Sequence, residues 1–166
     1  MKKKKVLVSL LAALFISLAA DAQPGRFAGK QELVGYWEMI PIPNAEKINK
    51  VNPWPAAYQW FGFYDDGSLA TMGSSDYTPM TAKSLEEAFS TPTLKAGRFK
   101  YTFAPSGLVL VTAPDSSDYE EAWGVNVITE ETKLGEMEVK PGDLLMTLAG
   151  GEDGGPVYFR HLRRVR

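Results

Sequence analysis

The 166-residue sequence contains no cysteine and one histidine, His161. Disulfides and cysteine nucleophiles are therefore excluded, and the usual zinc sites lack the ligands that would form them. Because His161 stands among arginines, we expect it to have a surface or structural role. The acidic pairs, such as Glu120-Glu121, occur in stretches typical of turns, helices or strand surfaces. We expect no metal, no cofactor and no catalytic residue, and an enzyme that uses carboxylates is the least favoured alternative.

No apolar run reaches the roughly 20 residues that a transmembrane helix needs. The longest such run spans Val6 to Ala20, after four consecutive lysines and before an Ala-Asp-Ala site at residues 20–22. This order of cationic, apolar and small residues is typical of a secretory signal peptide. We therefore expect a signal peptide at residues 1–22, cleaved after Ala22, and an exported mature protein, periplasmic or secreted, with no membrane span.

An excess of positive charge is also missing. The first 22 residues hold four of the 18 basic side chains and one of the 20 acidic ones, so the remaining 144 residues carry a formal net charge of −5. This acidic balance argues against a nucleic-acid partner. A chain of this length buries roughly two-thirds of its unfolded surface without disulfides, so one hydrophobic core suffices.

What the sequence does contain is a series of short apolar or alternating runs, rich in aromatic and β-branched residues. Turn-forming clusters such as Asp65-Asp66-Gly67 and Pro105-Ser106-Gly107 separate them, which is typical of β-hairpins. The predicted strands lie at residues 33–40, 58–64, 68–72, 98–104, 108–112, 119–129, 143–149 and 156–165. The Tyr77 region and Met137 to Val139 are further strand candidates.

This pattern predicts an all-β fold with a short lead-in at residues 23–32 and one domain at residues 33–166. The consecutive hairpins favour a single antiparallel up-and-down β-barrel of about eight strands. A two-sheet β-sandwich remains the alternative, because strand spacing does not distinguish the two folds. One short helix is predicted from Lys83 to Phe89, with Ser84 and Glu87 as a capping box, acting as a lid or plug.

Two motifs mark the ends of the predicted barrel. Gly35 and Trp37 form a Gly-x-Trp on the first strand, and the last strand ends in a basic stretch, Tyr158-Phe159-Arg160-His161-Leu162-Arg163-Arg164. In both features the chain resembles the lipocalin-like barrels of the calycin superfamily. The resemblance implies that Trp37 closes the base and that an arginine of the last strand lies across its indole, gaining cation–π attraction. Arg160 and Arg163, which lie on opposite strand faces, are the candidates.

The connection between the first two strands, residues 41–57, is too long for a simple hairpin and contains four prolines. In lipocalin-like barrels the equivalent connection covers the open mouth, so the resemblance implies a partly rigid lid. Trp54 would either fasten this loop to the barrel or contact a ligand.

The predicted interior is aromatic and mostly uncharged. Its expected members are Trp60, Phe99, Tyr101, Phe103 and Trp123, which together with Trp54 form the predicted ligand-binding set. Such a lumen suits a small hydrophobic or amphipathic ligand, although a barrel of eight strands is narrow enough to be packed solid, and the chain length favours packing. Our hypothesis is an exported, non-catalytic, lipocalin-like ligand-binding protein. The alternative is a protein-interaction or inhibitor module with a packed barrel, binding a protein partner; the oligomeric state is not predicted.

Overall fold

The computed structural model describes residues 24–104, 107–118, 120–150 and 155–166. The expected signal peptide at residues 1–22 lies outside this range, as does residue 23 of the predicted lead-in. Parts of three other predicted features also lie outside it: Pro105 and Ser106 of a turn, Tyr119 of a strand, and residues 151–154 of the connection before the last strand.

The described residues form eleven strands and four short helices. The strands are β1 (Gly25–Phe27), β2 (Gly35–Ile40), β3 (Tyr58–Phe63), β4 (Ser68–Ser74), β5 (Phe99–Phe103), β6 (Leu108–Thr112), β7 (Glu121–Ile128), β8 (Thr132–Leu134), β9 (Met137–Val139), β10 (Leu144–Ala149) and β11 (Pro156–Arg164). The helices are α1 (Lys30–Leu33), α2 (Ala45–Ile48), α3 (Ala82–Phe89) and α4 (Pro92–Ala96).

Eight of these strands form a closed antiparallel β-barrel, which confirms the predicted fold class and excludes the open sandwich. Neighbouring strands run in the order β7, β10, β11, β2, β3, β4, β5 and β6, and pairing of β6 with β7 closes the ring. The predicted lead-in adds β1, which pairs with the second half of β7. Of the two further strand candidates, Met137–Val139 forms a separate two-stranded sheet with β8, and Tyr77 lies outside the strands.

The alternation of side chains along the strands explains why this sequence closes into a barrel. Along β10, Leu144, Met146 and Leu148 are buried, and the residues between them are partly exposed. Successive side chains of a strand point to opposite sheet faces, so one face of each strand fills the interior and the other faces outward. Gly67, at φ 82°, forms the tight turn between β3 and β4 that the Asp-Gly pair predicts.

Helix α3 occupies the predicted place, but its cap and its role differ from the prediction. Thr81 caps its N-terminus and pairs reciprocally with Ser84, so the capping box lies three residues earlier than the predicted Ser84–Glu87 pair. The helix packs on the outside of the barrel wall rather than forming a lid or plug. Its apolar side chains join an outer hydrophobic cluster that contains Trp60, Ala70, Leu85 and Phe89.

The base of the barrel is closed by Trp37, which is only 1% exposed. Its indole Nε1 donates a hydrogen bond to the carbonyl of Leu33 at 2.8 Å, which fixes the ring against α1. The guanidinium carbon of Arg164 lies 4.4 Å from the centre of the indole ring. Arg164 also donates to the carbonyls of Val34 at 3.0 Å and Glu32 at 2.8 Å. One arginine therefore joins the last strand, the indole and the chain before β2.

Gly35 is required at this base for two reasons. Its φ of 140° lies in a region that side chains rarely adopt. A Cβ atom at this position would also collide with the Nη1 of Arg164. The glycine of the Gly-x-Trp motif therefore makes room for the arginine that covers the tryptophan.

We predict that Gly35→Ala lowers the free energy of unfolding by about 2 kcal/mol, since it forces a strained φ and displaces Arg164. Gly135→Ala is the matched control, because Gly135 also has a positive φ, 63°, but open space around its Cα. The control should lose about 1 kcal/mol or less. Urea denaturation of both variants measures the difference. Equal losses would show that contact with Arg164 adds nothing to the requirement for glycine.

Candidate ligand-binding cavity

A cavity of about 360 Å³ occupies the end of the barrel where β3 begins, away from the closed base. Its apolar lining comes from strands around the ring and from the loop between β2 and β3. These residues include Trp54, Phe61, Phe63, Phe99, Trp123 and Met146. The polar side chains in the lining are Gln59, Thr71, Glu121 and Arg160. The interior is thus packed at the Trp37 end and hollow at the other.

Residues 53–56 contribute to the lining of this hollow end, as the predicted lid would. The loop before them is tied to β11, because the amide of Lys50 donates to the carbonyl of Val157 at 2.9 Å and the Asn49 side chain accepts from the amide of Phe159 at 2.9 Å. From inside the barrel, the Gln59 amide donates to the carbonyls of Trp54 and Ala56, both at 3.2 Å. Two sets of hydrogen bonds therefore hold the loop over the cavity.

Trp54 fastens the loop to the barrel and also lines the cavity. Its ring centre lies 5.6 Å from that of Trp123 and 5.4 Å from that of Tyr158. Aromatic pairs at such separations stabilise a structure by about 0.5–1.5 kcal/mol beyond the area they bury. The ring therefore fastens the loop to the barrel wall.

Arg160 is the central polar group of the cavity and is 6% exposed. Its guanidinium carbon lies over several ring faces, 4.1 Å from the centre of Trp54, 4.5 Å from Trp123 and 4.8 Å from Phe61. The ring of Tyr158 lies at 5.5 Å. Cation–π attraction of this kind is worth about 2 kcal/mol when the pair is desolvated. The aromatic lining thus offsets part of the cost of burying this charge.

Burial lowers the pKa of Arg160 to about 10, although Tyr158 and Glu121 act in the opposite direction. The guanidinium therefore remains charged at neutral pH. No carboxylate of the described residues lies within 4.0 Å of it. Glu121, the carboxylate of the lining, instead accepts a hydrogen bond from the Trp123 indole at 2.7 Å.

The six predicted ligand-binding residues lie in three places: the cavity lining, the barrel core outside that lining, and the outer face of the barrel. Trp54, Phe99 and Trp123 line the cavity. Tyr101 and Phe103 belong to the core of the barrel instead, and the Tyr101 hydroxyl donates to the carbonyl of Tyr64 at 2.6 Å. Burial raises the pKa of Tyr101 to about 12.

Trp60 is the member of the predicted set that the structure places elsewhere. It lies on the outer face of β3, in the cluster under α3, because its neighbours Phe61 and Gln59 take the inner face. Its burial comes from the helix, not from the barrel interior.

The arginine that lies across Trp37 is Arg164. The prediction that Arg160 or Arg163 would take this position was wrong. Arg160 points into the cavity, four residues before Arg164 on the same strand face. Arg163 lies on the opposite face and binds Asp143, with its Nε 3.0 Å from Oδ1 and its Nη2 2.7 Å from Oδ2. The shared parity of residues 158, 160, 162 and 164 was the sequence signal that identifies Arg164.

The cavity residues that sequence reasoning missed include Gln59, Phe61, Glu121 and Met146. Phe61 carried a usable signal, since it alternates with Trp60 along β3 and fills the opposite face. Glu121 carried a weaker signal, because it shares a strand face with Trp123, but a carboxylate at the start of a strand is as typical of the surface as of a barrel mouth. Glu121 is the single carboxylate among the described lining residues, so no converging acidic pair is found there.

His161 is fully buried, and its Nε2 lies 2.7 Å from Oδ2 of Asp143. Burial lowers the pKa of His161, although the Asp143 carboxylate acts to raise it. Burial acts to raise the pKa of Asp143. Hydrogen bonds from Arg163, His161 and the amide of Lys140 outweigh this effect and hold the pKa below its usual value. At neutral pH a neutral His161 therefore donates to a charged Asp143, in a structural role on the outer face of β11.

Comparisons with known proteins add no relative to this description. No protein-family model matches the chain, and searches of curated proteins and of solved structures find no match.

The helices among the described residues are all too short or too polar to cross a membrane. Within the same residues, no group of three or more histidine, cysteine, aspartate and glutamate side chains is placed to hold a metal ion. The fold and the cavity define the class: a closed eight-stranded antiparallel barrel, hollow at one end.

We predict that His161 makes stability depend on pH just below neutrality. Its folded pKa lies below the ordinary value of 6.5, so the unfolded chain binds the proton first, and stability falls as the pH drops below about 6.5. Asp143, with its lowered pKa, keeps its stabilising effect until the pH falls below about 4. Urea denaturation between pH 7 and pH 5 should therefore show a steeper loss for the parent protein than for His161→Gln. Parallel slopes would contradict this assignment.

Proposed function

We propose that this chain is an exported, non-catalytic protein of the lipocalin-like, or calycin, type that binds a small hydrophobic or amphipathic ligand in its barrel. The observation that carries the proposal is the aromatic cavity of about 360 Å³ beneath Trp54. Ligand sites in proteins are commonly clefts of about 300–1,000 Å³ with mostly apolar walls and a few placed polar groups. The cavity is at the small end of this range, which favours a compact ligand over a long chain.

The lid supports the same proposal. Residues 53–56 are held over the cavity by hydrogen bonds from Gln59 and by the ring contacts of Trp54. These contacts hold a four-residue segment that lies outside the strands of the barrel. Displacement of this segment gives a ligand a route into the barrel without disturbing the strand pairing.

Export rests on the N-terminal sequence. Four lysines, an apolar run too short to span a bilayer, and an Ala-Asp-Ala site follow one another in residues 2–22. Mass spectrometry of the mature protein from its own host tests this part, with Gln23 expected as the first residue. Retention of residues 1–22 would contradict it.

We predict that Trp54→Ala weakens binding of the neutral fluorescent probe N-phenyl-1-naphthylamine by about tenfold, because it removes a ring that lies over the cavity. Trp60→Phe is the matched control, since Trp60 is buried on the outside of the wall under α3. It should leave the probe affinity within about twofold. Fluorescence titration of the parent and both variants gives the affinities.

Two results would contradict the proposal. If the parent protein fails to bind the probe, the cavity is not a ligand site for compact apolar molecules. If Trp60→Phe weakens binding and Trp54→Ala does not, the probe binds at the outer cluster. Capture of a specific protein partner by a barrel that binds no probe would favour the interaction-module alternative.

A further inference from the structure

We propose that the ligand is a small organic monoanion whose negative group binds the guanidinium of Arg160 and whose apolar body fills the rest of the cavity. This inference rests on the proposed function, because it names the chemical class that the same cavity selects. It is carried by the hydrogen-bonding state of Arg160, by its burial and by the position of Glu121.

Arg160 has more donors than partners. A guanidinium carries five N–H groups in a fixed fork and accepts none. Its side chain makes a long hydrogen bond from Nη2 to Oε1 of Gln59 at 3.4 Å and also interacts with the Tyr158 hydroxyl. Its Nε is buried and has no partner. A buried charge with unsatisfied donors is costly to the empty protein, and an acceptor that arrives with a ligand removes that cost.

The other structured arginines with aromatic or buried surroundings show what satisfaction looks like in this chain. Arg164 donates to two carbonyls and Arg163 binds both oxygens of Asp143, whereas Arg98 donates to the carbonyl of Phe89 at 3.2 Å but also has a buried Nε with no partner, outside the cavity. Among the described residues, five buried side-chain polar atoms lack a partner, and only that of Arg160 belongs to a residue lining the cavity. The Arg160 Nε, a buried donor without an acceptor, therefore lies where a ligand would bind.

The aromatic neighbours of Arg160 do not meet this need. Rings attract the positive charge through their faces, and the guanidinium carbon lies over the faces of Trp54, Trp123 and Phe61. An N–H group, however, needs an oxygen acceptor near its own axis. A carboxylate, sulfonate or similar oxyanion matches the arginine fork, and such charge-assisted bonds are roughly twice as strong as neutral ones.

Glu121 restricts the charge that the ligand can carry. It lines the same cavity, and its carboxylate is held by the Trp123 indole rather than by Arg160. A ligand with one negative group at Arg160 leaves the cavity with a single net negative charge. A second negative group would add repulsion from Glu121 without a second cation among the described lining residues, so the pair selects monoanions over dianions.

The test uses two fluorescent probes of the same shape that differ in charge, 1-anilinonaphthalene-8-sulfonate and the neutral N-phenyl-1-naphthylamine. We expect Arg160→Met to weaken binding of the sulfonate by about tenfold to a hundredfold, as expected for loss of a charge-assisted bond. The neutral probe should change by less than about threefold. Arg98→Met is the matched control, because it removes an arginine stacked on Tyr64 outside the cavity, and it should change neither affinity.

A second variant is expected to strengthen sulfonate binding, whereas Arg160→Met weakens it. Glu121→Gln keeps an oxygen acceptor for the Trp123 indole and removes the like charge, so it should tighten sulfonate binding by about threefold or more and leave the neutral probe unchanged. This variant keeps Arg160, so it remains informative if Arg160→Met fails to fold in a circular-dichroism melt.

The outcomes separate this inference from the proposed function. If the parent binds both probes and the Arg160 and Glu121 variants change both affinities equally, or change neither, the preference for an anion is wrong and the ligand cavity stands. If the parent binds neither probe, the proposed function fails, and the anion preference fails with it. Opposite effects of the two variants on the sulfonate alone would support the inference.

Discussion

The stacking of Arg164 on Trp37 is the contact on which the rest of the barrel depends. The indole fills the base, and its hydrogen bond to Leu33 and the two bonds from Arg164 to the chain before β2 hold the first and last barrel strands together. Trp37 is not among the residues that line the cavity, so the base that it closes is separate from the cavity. Gly35 is fixed by the same contact, since a side chain would occupy the place of the guanidinium.

The last strand links the closed base to the hollow end. Tyr158, Arg160, Leu162 and Arg164 lie on the same strand face, with Arg160 buried inside the barrel and Arg164 exposed at its base. Arg164 donates hydrogen bonds to carbonyls at the rim of the barrel. Arg160 lies in the interior, where its neighbours are mainly the faces of aromatic rings. The difference explains why one is structural and why the other supports a proposal about ligands. On the outer face, His161 and Arg163 bind Asp143 and attach the 129–143 connection to the wall.

Sequence alternation and turn residues were sufficient to predict the strand positions, because strand period and Asp-Gly turns are local properties. They favoured the barrel but left the sandwich as an alternative, because closure depends on which strands pair. Phe99 and Trp123 were placed inside the barrel in the same way, whereas Trp54 was predicted from the length of its loop and the lipocalin resemblance. Trp60 was misplaced because β3 carries large aromatic residues on both faces, and only the packing of α3 shows which face is outside. Strand parity places Glu121 with Trp123 and Gln59 with Phe61, but their roles depend on which strands meet across the barrel, which parity does not show. Arg164 could have been identified from its parity with Arg160.

A crystal structure of the protein with bound 1-anilinonaphthalene-8-sulfonate tests the central claim most directly, since it shows where the charge and the rings of the probe lie. The account predicts the sulfonate within hydrogen-bonding distance of the Arg160 guanidinium and the rings against Trp54 and Trp123, with residues 53–56 displaced or closed over them. A probe bound instead in the outer cluster around Trp60 and Phe89, with the cavity unchanged, would contradict it.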